Sequence, residues 1–147
     1  MSSAQGPAAG EPVVQGSCLC GEIRFSVRGP LRPVIACHCT QCRKTSGHHV
    51  AATSAARDAV TVSGTPRWYR SSDSARRGFC PTCGTPLFWD GPGRNLSIFA
   101  GCLDGATGLR LAGHIYCADK GDYYEIGDAL PQAPAAHPGL TTQVGQP

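Results

Sequence analysis

Cysteine is the residue type in this chain whose spacing points to chemistry, and that chemistry is metal binding. Seven of the nine cysteines lie in three short clusters: Cys18-Leu-Cys20-Gly, Cys37-His-Cys39-Thr-Gln-Cys42 and Cys80-Pro-Thr-Cys83-Gly. Zinc favours thiolates that tight turns deliver in groups, because ligands one to three residues apart can meet one ion where the backbone turns around it. The seven sulfurs would fit one closed site with four ligands and one open site with three.

Disulfide bonding is the main alternative for these cysteines, and the sequence argues against it. The number of cysteines is odd, and a Cys-x-Cys pair is nearly too close to form an internal bridge. Residues 1–12 show neither the basic nor the apolar region of a secretory signal. We therefore expect a cytoplasmic protein whose thiols stay reduced and bind metal.

Length and composition predict one modest domain without a membrane or nucleic-acid partner. The 147 residues are 41% hydrophobic and 16% charged, so the core is small and bound metal would help to stabilise it. No apolar run approaches the ~18 residues of a membrane span. The formal charge of +3 falls to zero if four thiolates hold one zinc ion and three hold another. The net charge of the zinc-loaded protein then gives no reason to expect a polyanion, such as a nucleic acid, as partner.

The residues between the clusters predict short strands and little helix. In residues 22–27, Ile23, Phe25 and Val27 alternate with polar residues, as in a strand with one buried face. Further strands, separated by Gly- and Pro-rich turns, are predicted at 34–36, 50–53, 60–63, 67–70, 87–89, 96–99, 114–117 and 123–126. Helix is predicted only at 40–46. The pattern indicates a mainly β, antiparallel fold held together by zinc.

Three regions are predicted along the chain. Residues 1–12 form a flexible N-terminal segment, residues 13–131 a zinc-binding domain, and residues 132–147 a disordered tail. The tail has too little apolar content to offset the entropy cost of ordering it. We expect His137, which lies in this tail, to be solvated.

The first and third clusters are predicted to form one structural zinc site from Cys18, Cys20, Cys80 and Cys83. Joining them closes a loop of about sixty residues, which removes much entropy from the unfolded chain. A glycine follows each cysteine pair, at positions 21 and 84, where a positive φ would turn backbone N–H groups toward the sulfurs. Four thiolates leave such an ion no free position.

The middle cluster is the candidate for catalysis. Cys37, Cys39 and Cys42 can all reach one ion and would leave a tetrahedral zinc with one open position. Three thiolates make that zinc a weak activator of water, but it would still bind and ionise a fourth, exchangeable thiol. A small thiol is therefore the expected substrate. Arg43 and Lys44 would either neutralise the site, bind a carboxylate, or be solvated surface charges.

The alternative for the middle cluster is a second structural zinc site, completed by a protein side chain. The candidates for that fourth ligand are His38, His48, His49, Cys102 and Cys117. Cys102 and Cys117 lie in apolar stretches, where an unpaired cysteine is more often a small buried hydrophobic residue. His48 and His49 would face opposite ways on a strand, so that at most one could point at the ion.

Five motifs occur in order between residues 13 and 131. They are Gly16-Ser-Cys-Leu-Cys-Gly-Glu-Ile-Arg-Phe25, Cys37-His-Cys-Thr-Gln-Cys-Arg-Lys-Thr-Ser-Gly47, Arg77-Gly-Phe-Cys-Pro-Thr-Cys-Gly-Thr-Pro-Leu-Phe88, Gly101-Cys-Leu-Asp104 and His114-Ile-Tyr116. Together they resemble the motifs of the glutathione-dependent formaldehyde-activating enzyme and centromere protein V family. The resemblance implies a zinc-pinned, β-tent-like fold with two zinc ions per chain. It places a structural zinc at Cys18, Cys20, Cys80 and Cys83, and a catalytic-type zinc at Cys37, Cys39 and Cys42.

The resemblance also implies an activity. The namesake enzyme is of the carbon–sulfur lyase type and condenses glutathione with formaldehyde to S-hydroxymethylglutathione. In this chain, the zinc of Cys37, Cys39 and Cys42 would bind glutathione or another small thiol as a thiolate, which then adds to formaldehyde or a related aldehyde. The alternative is a non-catalytic zinc-binding domain that acts as a macromolecular interaction module, as centromere protein V does.

Overall fold

The computed structural model describes residues 13–142, which form two β-sheets with little helix. In chain order the strands are β1 (Val13–Ser17), β2 (Arg24–Arg28), β3 (Val34–Cys37), β4 (Val50–Ala56), β5 (Val60–Ser63), β6 (Arg67–Arg70), β7 (Arg76–Phe79), β8 (Pro86–Asp90), β9 (Asn95–Phe99) and β10 (Leu111–Ile115). The helices are α1 (Thr40–Ser46) and α2 (Pro138–Thr141), with three short 3₁₀ turns elsewhere. The smaller sheet has the order β1-β2-β5, and the larger has the order β10-β3-β4-β9-β8-β7-β6. The predicted mainly β class is confirmed.

The core is built on the predicted alternation around β2. Ile23 and Val27 are fully buried and Phe25 nearly so. Phe25 packs edge-on against Phe88 of β8, with the ring centres 5.2 Å apart, so that the smaller sheet packs against the larger one. The same core contains Leu87, Ile98, Cys18 and Cys80. Two of the clustered cysteines are therefore held by the core itself.

Several element boundaries match the predictions, and others do not. The helix at 40–46 and the strands at 60–63 and 67–70 begin and end as predicted, whereas β1 and β7 were not predicted. The strand predicted at 114–117 ends earlier, at Ile115, because Tyr116 takes a left-handed backbone conformation with φ 56°. The strand predicted at 123–126 is wrong, since these residues form a turn and irregular backbone. Within residues 13–142, no helix has the length and apolar character that crossing a membrane requires.

One pair of strands departs from the expected antiparallel arrangement. β10 pairs in parallel with β3, with His114 opposite Ala36 and Ile115 opposite Cys37. Strands β4 to β9 lie between the two partners in the chain, so the pairing is a long-range contact that local sequence patterns do not report. It places His114 beside the chain that leads into the middle cysteine cluster.

The described part of the tail is ordered, contrary to the prediction of disorder for residues 132–147. The N–H of Ala133 donates to the carbonyl of His114 at 2.9 Å, and the N–H of His114 donates to the carbonyl of Pro131 at 2.9 Å. Ala133 is buried, and Leu140 packs against Gly113. Main-chain hydrogen bonds do not depend on apolar content, which is why composition alone misleads here. Residues 1–12 and 143–147 lie outside the described residues, and the domain boundary at residue 131 stays a prediction.

Ending the chain after Leu130 should destabilise the fold. Five backbone hydrogen bonds join residues 131–135 to residues 114–118, and each contributes about 1 kcal/mol net. We expect the free energy of unfolding, measured by urea denaturation of the metal-loaded protein, to fall by about 3 to 5 kcal/mol. A chain that ends after Thr142 is the matched control. Equal stability of the two truncated chains would show that the docked tail does not stabilise the fold.

Candidate metal centres

Cys18, Cys20, Cys80 and Cys83 are brought together in what we call the four-cysteine cluster. Their sulfurs all lie within 4.8 Å of one another. The Sγ atoms of Cys18 and Cys20 are 3.6 Å apart, and those of Cys20 and Cys80 are 3.8 Å apart. A tetrahedral zinc with Zn–S bonds of about 2.3 Å places its sulfurs about 3.8 Å apart. The four-cysteine cluster therefore has the donors and the spacing that zinc requires.

Backbone N–H groups point at these sulfurs, as expected around a metal-bound thiolate. Ile23 N–H donates to the sulfur of Cys18 at 3.2 Å, and the N–H groups of Thr82 and Cys83 each donate to the sulfur of Cys80 at 3.4 Å. The glycines at positions 21 and 84 have φ values of 82° and 80°, so the predicted positive φ is confirmed at both. These left-handed residues let each loop turn tightly after its second cysteine.

Thr85 links the two loops of the four-cysteine cluster. Its hydroxyl accepts a hydrogen bond from Leu19 N–H at 3.0 Å and lies 3.1 Å from the sulfur of Cys83. The bond that this hydroxyl donates lowers the pKa of the Cys83 thiol to about 5. A side chain outside the ligand set therefore favours the ionised form that metal binding needs.

Cys37, Cys39 and Cys42 form a second group, the three-cysteine cluster, with sulfurs also within 4.8 Å of one another. Cys37 ends β3, Cys39 caps the N-terminus of α1, and Cys42 lies in the first turn of that helix. The cap is made by the sulfur of Cys39, which accepts a hydrogen bond from Cys42 N–H at 3.3 Å. A strand end, a cap and one helical turn thus place three sulfurs together within six residues.

Electrostatics around the three-cysteine cluster also fit a bound cation. Hydrogen bonds from Cys37 and Cys42 lower the pKa of Cys39 to about 2, whereas the bonds with Cys39 and Cys42 raise the pKa of Cys37. One sulfur can ionise easily only while its neighbours keep their protons, because adjacent thiolates repel each other. A divalent ion removes this conflict, and zinc suits a set of soft thiolate donors.

No further ligand atom of His, Cys, Asp or Glu joins the three-cysteine cluster among residues 13–142. Of the five candidates from the sequence, His38 makes other hydrogen bonds, His48 lies 2.7 Å from the Tyr123 hydroxyl, and Cys102 donates to the Pro86 carbonyl at 3.2 Å. The expectation that His48 and His49 face opposite ways on a strand is wrong. They precede β4, with His48 in a bend and His49 in irregular backbone, and their ring centres are only 4.4 Å apart.

The three-cysteine cluster has both apolar and basic neighbours. Cys42 packs with buried Val50 and Phe99. The basic neighbour is Arg77, which the sequence analysis did not single out and whose Nη2 donates to the sulfur of Cys42 at 3.7 Å. Arg43, which sequence reasoning did consider, instead donates through Nε to the carbonyl of Asp119 at 2.8 Å.

A series of hydrogen-bonded side chains with two buried histidines at its centre runs beside the three-cysteine cluster and was also missed from the sequence. Tyr124 and Nδ1 of His38 are hydrogen-bonded, Nε2 of His38 lies 2.9 Å from Nδ1 of His114, and Nε2 of His114 lies 2.9 Å from Asp128. His38 is fully buried and His114 nearly so. His114 belongs to the His114-Ile-Tyr116 motif, and its ring is held on both sides by hydrogen bonds.

The hydrogen bonds that join Tyr124, His38, His114 and Asp128 allow one consistent placement of protons when both histidines are neutral. His114 donates to the Asp128 carboxylate, so its other nitrogen accepts from His38, whose remaining nitrogen accepts from the Tyr124 hydroxyl. Burial, reinforced by the neighbouring His49, lowers the pKa of His38 to about 4, which keeps it neutral near pH 7. The bond from His114 lowers the pKa of Asp128 and keeps that carboxylate ionised.

Replacing Tyr124 by phenylalanine should lower stability by about 1 to 3 kcal/mol, because buried His38 would lose the donor to Nδ1. The neighbouring Tyr123 provides a matched control, since it is 61% exposed and its hydroxyl bond to His48 lies at the surface. Tyr123→Phe should change stability by less than about 0.5 kcal/mol. Urea denaturation of both metal-loaded variants checks the pair, and equal losses would contradict the assigned hydrogen bonds.

Comparisons with known proteins agree with the cysteine pattern and the fold. The sequence profile of the glutathione-dependent formaldehyde-activating enzyme matches residues 13–119, a range that contains both clusters. An uncharacterized lyase of Schizosaccharomyces pombe is 28% identical over 120 residues, which cover 80% of this chain and 88% of the yeast protein. Because the profile matches more than half of the chain, the protein belongs to the glutathione-dependent formaldehyde-activating enzyme family.

Proposed function

We propose that this protein is a zinc-dependent, carbon–sulfur lyase-type enzyme that adds a small thiol, such as glutathione, to formaldehyde or a related aldehyde. Cys37, Cys39 and Cys42 would hold the catalytic-type zinc, and the four-cysteine cluster would hold a second, structural zinc. Family membership and the yeast relative named as a lyase support an enzyme of this class. Nine free thiols suit a reducing compartment, and we propose the cytoplasm.

The difference between the two clusters is the observation that carries the proposal. The four-cysteine cluster offers a tetrahedral ion all its ligands, whereas the three-cysteine cluster offers three from the described part of the chain. Structural zinc sites are closed, and catalytic sites keep a position for substrate. Cys37 and Cys39 are only half-buried, so a small molecule can approach the three-cysteine cluster.

When bound there, zinc would supply a positive charge that lowers the pKa of a thiol enough to ionise it near pH 7. In the overall reaction, the thiol sulfur forms a bond to the carbonyl carbon, the carbon–oxygen double bond becomes single, and the thiol proton ends on the oxygen. The chain's own part is to hold three thiolates against apolar Val50 and Phe99. This low-dielectric backing strengthens the attraction between the thiolates and a cation.

A metal count and a thiol titration test the proposal together. The purified protein should contain two metal ions per chain, and cobalt substitution should give an absorption spectrum that changes when glutathione is added. With carbon-13 formaldehyde and glutathione, the hydroxymethyl thioether carbon should form faster than in buffer alone. Cys117→Ser is the matched control, since Cys117 belongs to neither cluster and the variant should behave as wild type.

A cobalt spectrum that saturating glutathione leaves unchanged would contradict the thiol-enzyme proposal. Two tightly held ions without a response to thiol would favour the non-catalytic zinc-binding domain instead. A single ion per chain, held by the four-cysteine cluster, would remove the catalytic centre altogether.

A further inference from the structure

Arg77 is a buried cation whose hydrogen-bonding capacity is largely unused. It is 8% exposed, and its Nη2 donates to Gln41 Oε1 at 3.3 Å and to the sulfur of Cys42 at 3.7 Å. Its Nε and Nη1 are shielded from solvent and have no hydrogen-bond partner among the described residues. No carboxylate within residues 13–142 lies at ion-pair distance from it. An isolated buried charge is costly unless an anion pairs with it.

Two other arginines of this protein have acceptors for their guanidinium groups. Arg32 is equally buried, and it donates to the carbonyls of Ala52, Thr141 and Pro33 at 2.7, 3.1 and 3.2 Å. Arg76, next to Arg77 on β7, is exposed and pairs with Asp90 at 2.9 Å. Arg77 alone of these three retains buried donors without an acceptor, and it is the one that touches a candidate metal ligand.

The surroundings fix where the guanidinium of Arg77 lies. Gln41, which accepts from Nη2, is itself anchored because its amide nitrogen donates to the carbonyl of Ser71 at 3.2 Å. Arg77 pairs across the sheet with Trp89 of β8, and Trp89 packs against the apolar group that contains Cys42. Neighbours across a sheet share a face. The cation is thus held beside the three-cysteine cluster by the sheet and by α1.

We propose that Arg77 stabilises the negatively charged sulfur of a thiolate bound at the three-cysteine cluster. The exchangeable ligand of that cluster therefore binds as an anion. This inference rests on the proposed function. A divalent ion with three thiolates carries one negative charge, and a fourth thiolate raises this to two. Arg77 already donates a hydrogen bond to the sulfur of Cys42, and its unused Nε and Nη1 donors are available to the sulfur of the fourth ligand. The expected ligands are therefore thiols that bind through an ionised sulfur, whatever charge the rest of the molecule carries.

Titration of the cobalt-substituted protein with three ligands tests this assignment. Glutathione has carboxylates as well as a thiol, 2-mercaptoethanol has a thiol alone, and imidazole is a neutral ligand. In Arg77→Gln we expect both thiols to bind roughly ten- to a hundredfold more weakly, the usual contribution of a hydrogen bond to a charged group. Imidazole affinity should change by less than about twofold, because a neutral ligand adds no charge for Arg77 to offset. A purely structural role would change all three alike.

Arg76→Gln is the matched control, since it removes the same charge from the adjacent position of β7. Its thiol affinities should stay within about twofold of wild type. If Arg77→Gln does not load cobalt, Arg77→Lys takes its place, because it keeps the charge and loses the planar fork of donors. A lowered ratio of thiol to imidazole affinity in that variant supports the assignment, and an unchanged ratio overturns it.

The outcomes separate this inference from the proposed function. A wild-type spectrum that responds to no thiol defeats the proposed function and the inference with it. A wild-type response that Arg77→Gln retains in full defeats the inference alone. A loss for glutathione without a loss for 2-mercaptoethanol also overturns it, because Arg77 would then bind a substrate carboxylate instead of the sulfur.

Discussion

Replacing Cys80 by serine should leave the chain without a stable fold. Cys80 is fully buried, belongs to the main core and accepts two backbone N–H groups at its sulfur. It also joins parts of the chain that are 60 residues apart, through Cys20. Structural zinc contributes about 10 to 16 kcal/mol in small domains at neutral pH. That exceeds or equals the whole stability of most domains, about 5 to 15 kcal/mol.

Thermal scans followed by circular dichroism, with zinc present, would measure this loss. We expect no cooperative transition for Cys80→Ser, and a transition near that of wild type for the control Cys117→Ser. A well-folded Cys80→Ser protein would refute the structural role of the four-cysteine cluster. The same scan after removal of metal by a chelator should give the same result without any substitution.

Replacing Cys39 by serine should abolish activity while the fold survives. Serine is among the best helix N-caps, so its hydroxyl can accept the bond from Cys42 N–H that the Cys39 sulfur now accepts. A serine hydroxyl is a poor zinc ligand beside a thiolate, so the three-cysteine cluster should lose its ion. We expect the rate of the glutathione–formaldehyde reaction to fall by about a thousandfold or to the uncatalysed rate, because the charge stabilisation supplied by a metal is worth several kcal/mol.

The stability of Cys39→Ser should fall by no more than about 2 kcal/mol, since Cys39 is half-buried and outside the main core. Elemental analysis should show one metal ion per chain instead of two. If Cys39→Ser retained both ions and full activity, the three-cysteine cluster would not be the reaction centre. If it unfolded as completely as Cys80→Ser, the division between a structural and a catalytic-type site would be wrong.

Local patterns predicted the parts of this fold that local forces determine. The alternation of Ile23, Phe25 and Val27 was enough to predict a half-buried strand, and the cysteine spacing was enough to predict both sulfur groups. The seven-residue helix α1 could be predicted because it begins within the Cys-x-Cys-x-x-Cys segment and ends at a glycine with φ 85°. Each of these signals lies within about a dozen residues, although the four-cysteine cluster joins two such segments whose cysteines, Cys20 and Cys80, are 60 residues apart.

Long-range contacts explain what the sequence did not reveal. β7 contains two arginines and a glycine and shows no apolar alternation, so only its neighbours in the sheet identify it as a strand. The docked tail depends on main-chain pairing with β10, which composition does not report. Arg76 and Arg77 are the same residue type side by side, and only the sheet decides that the second one is buried.

The position of Arg77 links the two clusters, although they share no ligand. β7 ends at Phe79 and runs directly into Cys80, so an ion bound in the four-cysteine cluster would hold this strand in its register along the sheet. A slip of one residue would send the guanidinium of Arg77 to solvent and turn Arg76 inward. An ion in the four-cysteine cluster would therefore be a precondition for thiol binding at the three-cysteine cluster. In stepwise chelation followed by absorption and by circular dichroism, we expect no stage at which the β-sheet signal is lost while the spectral response to thiol remains.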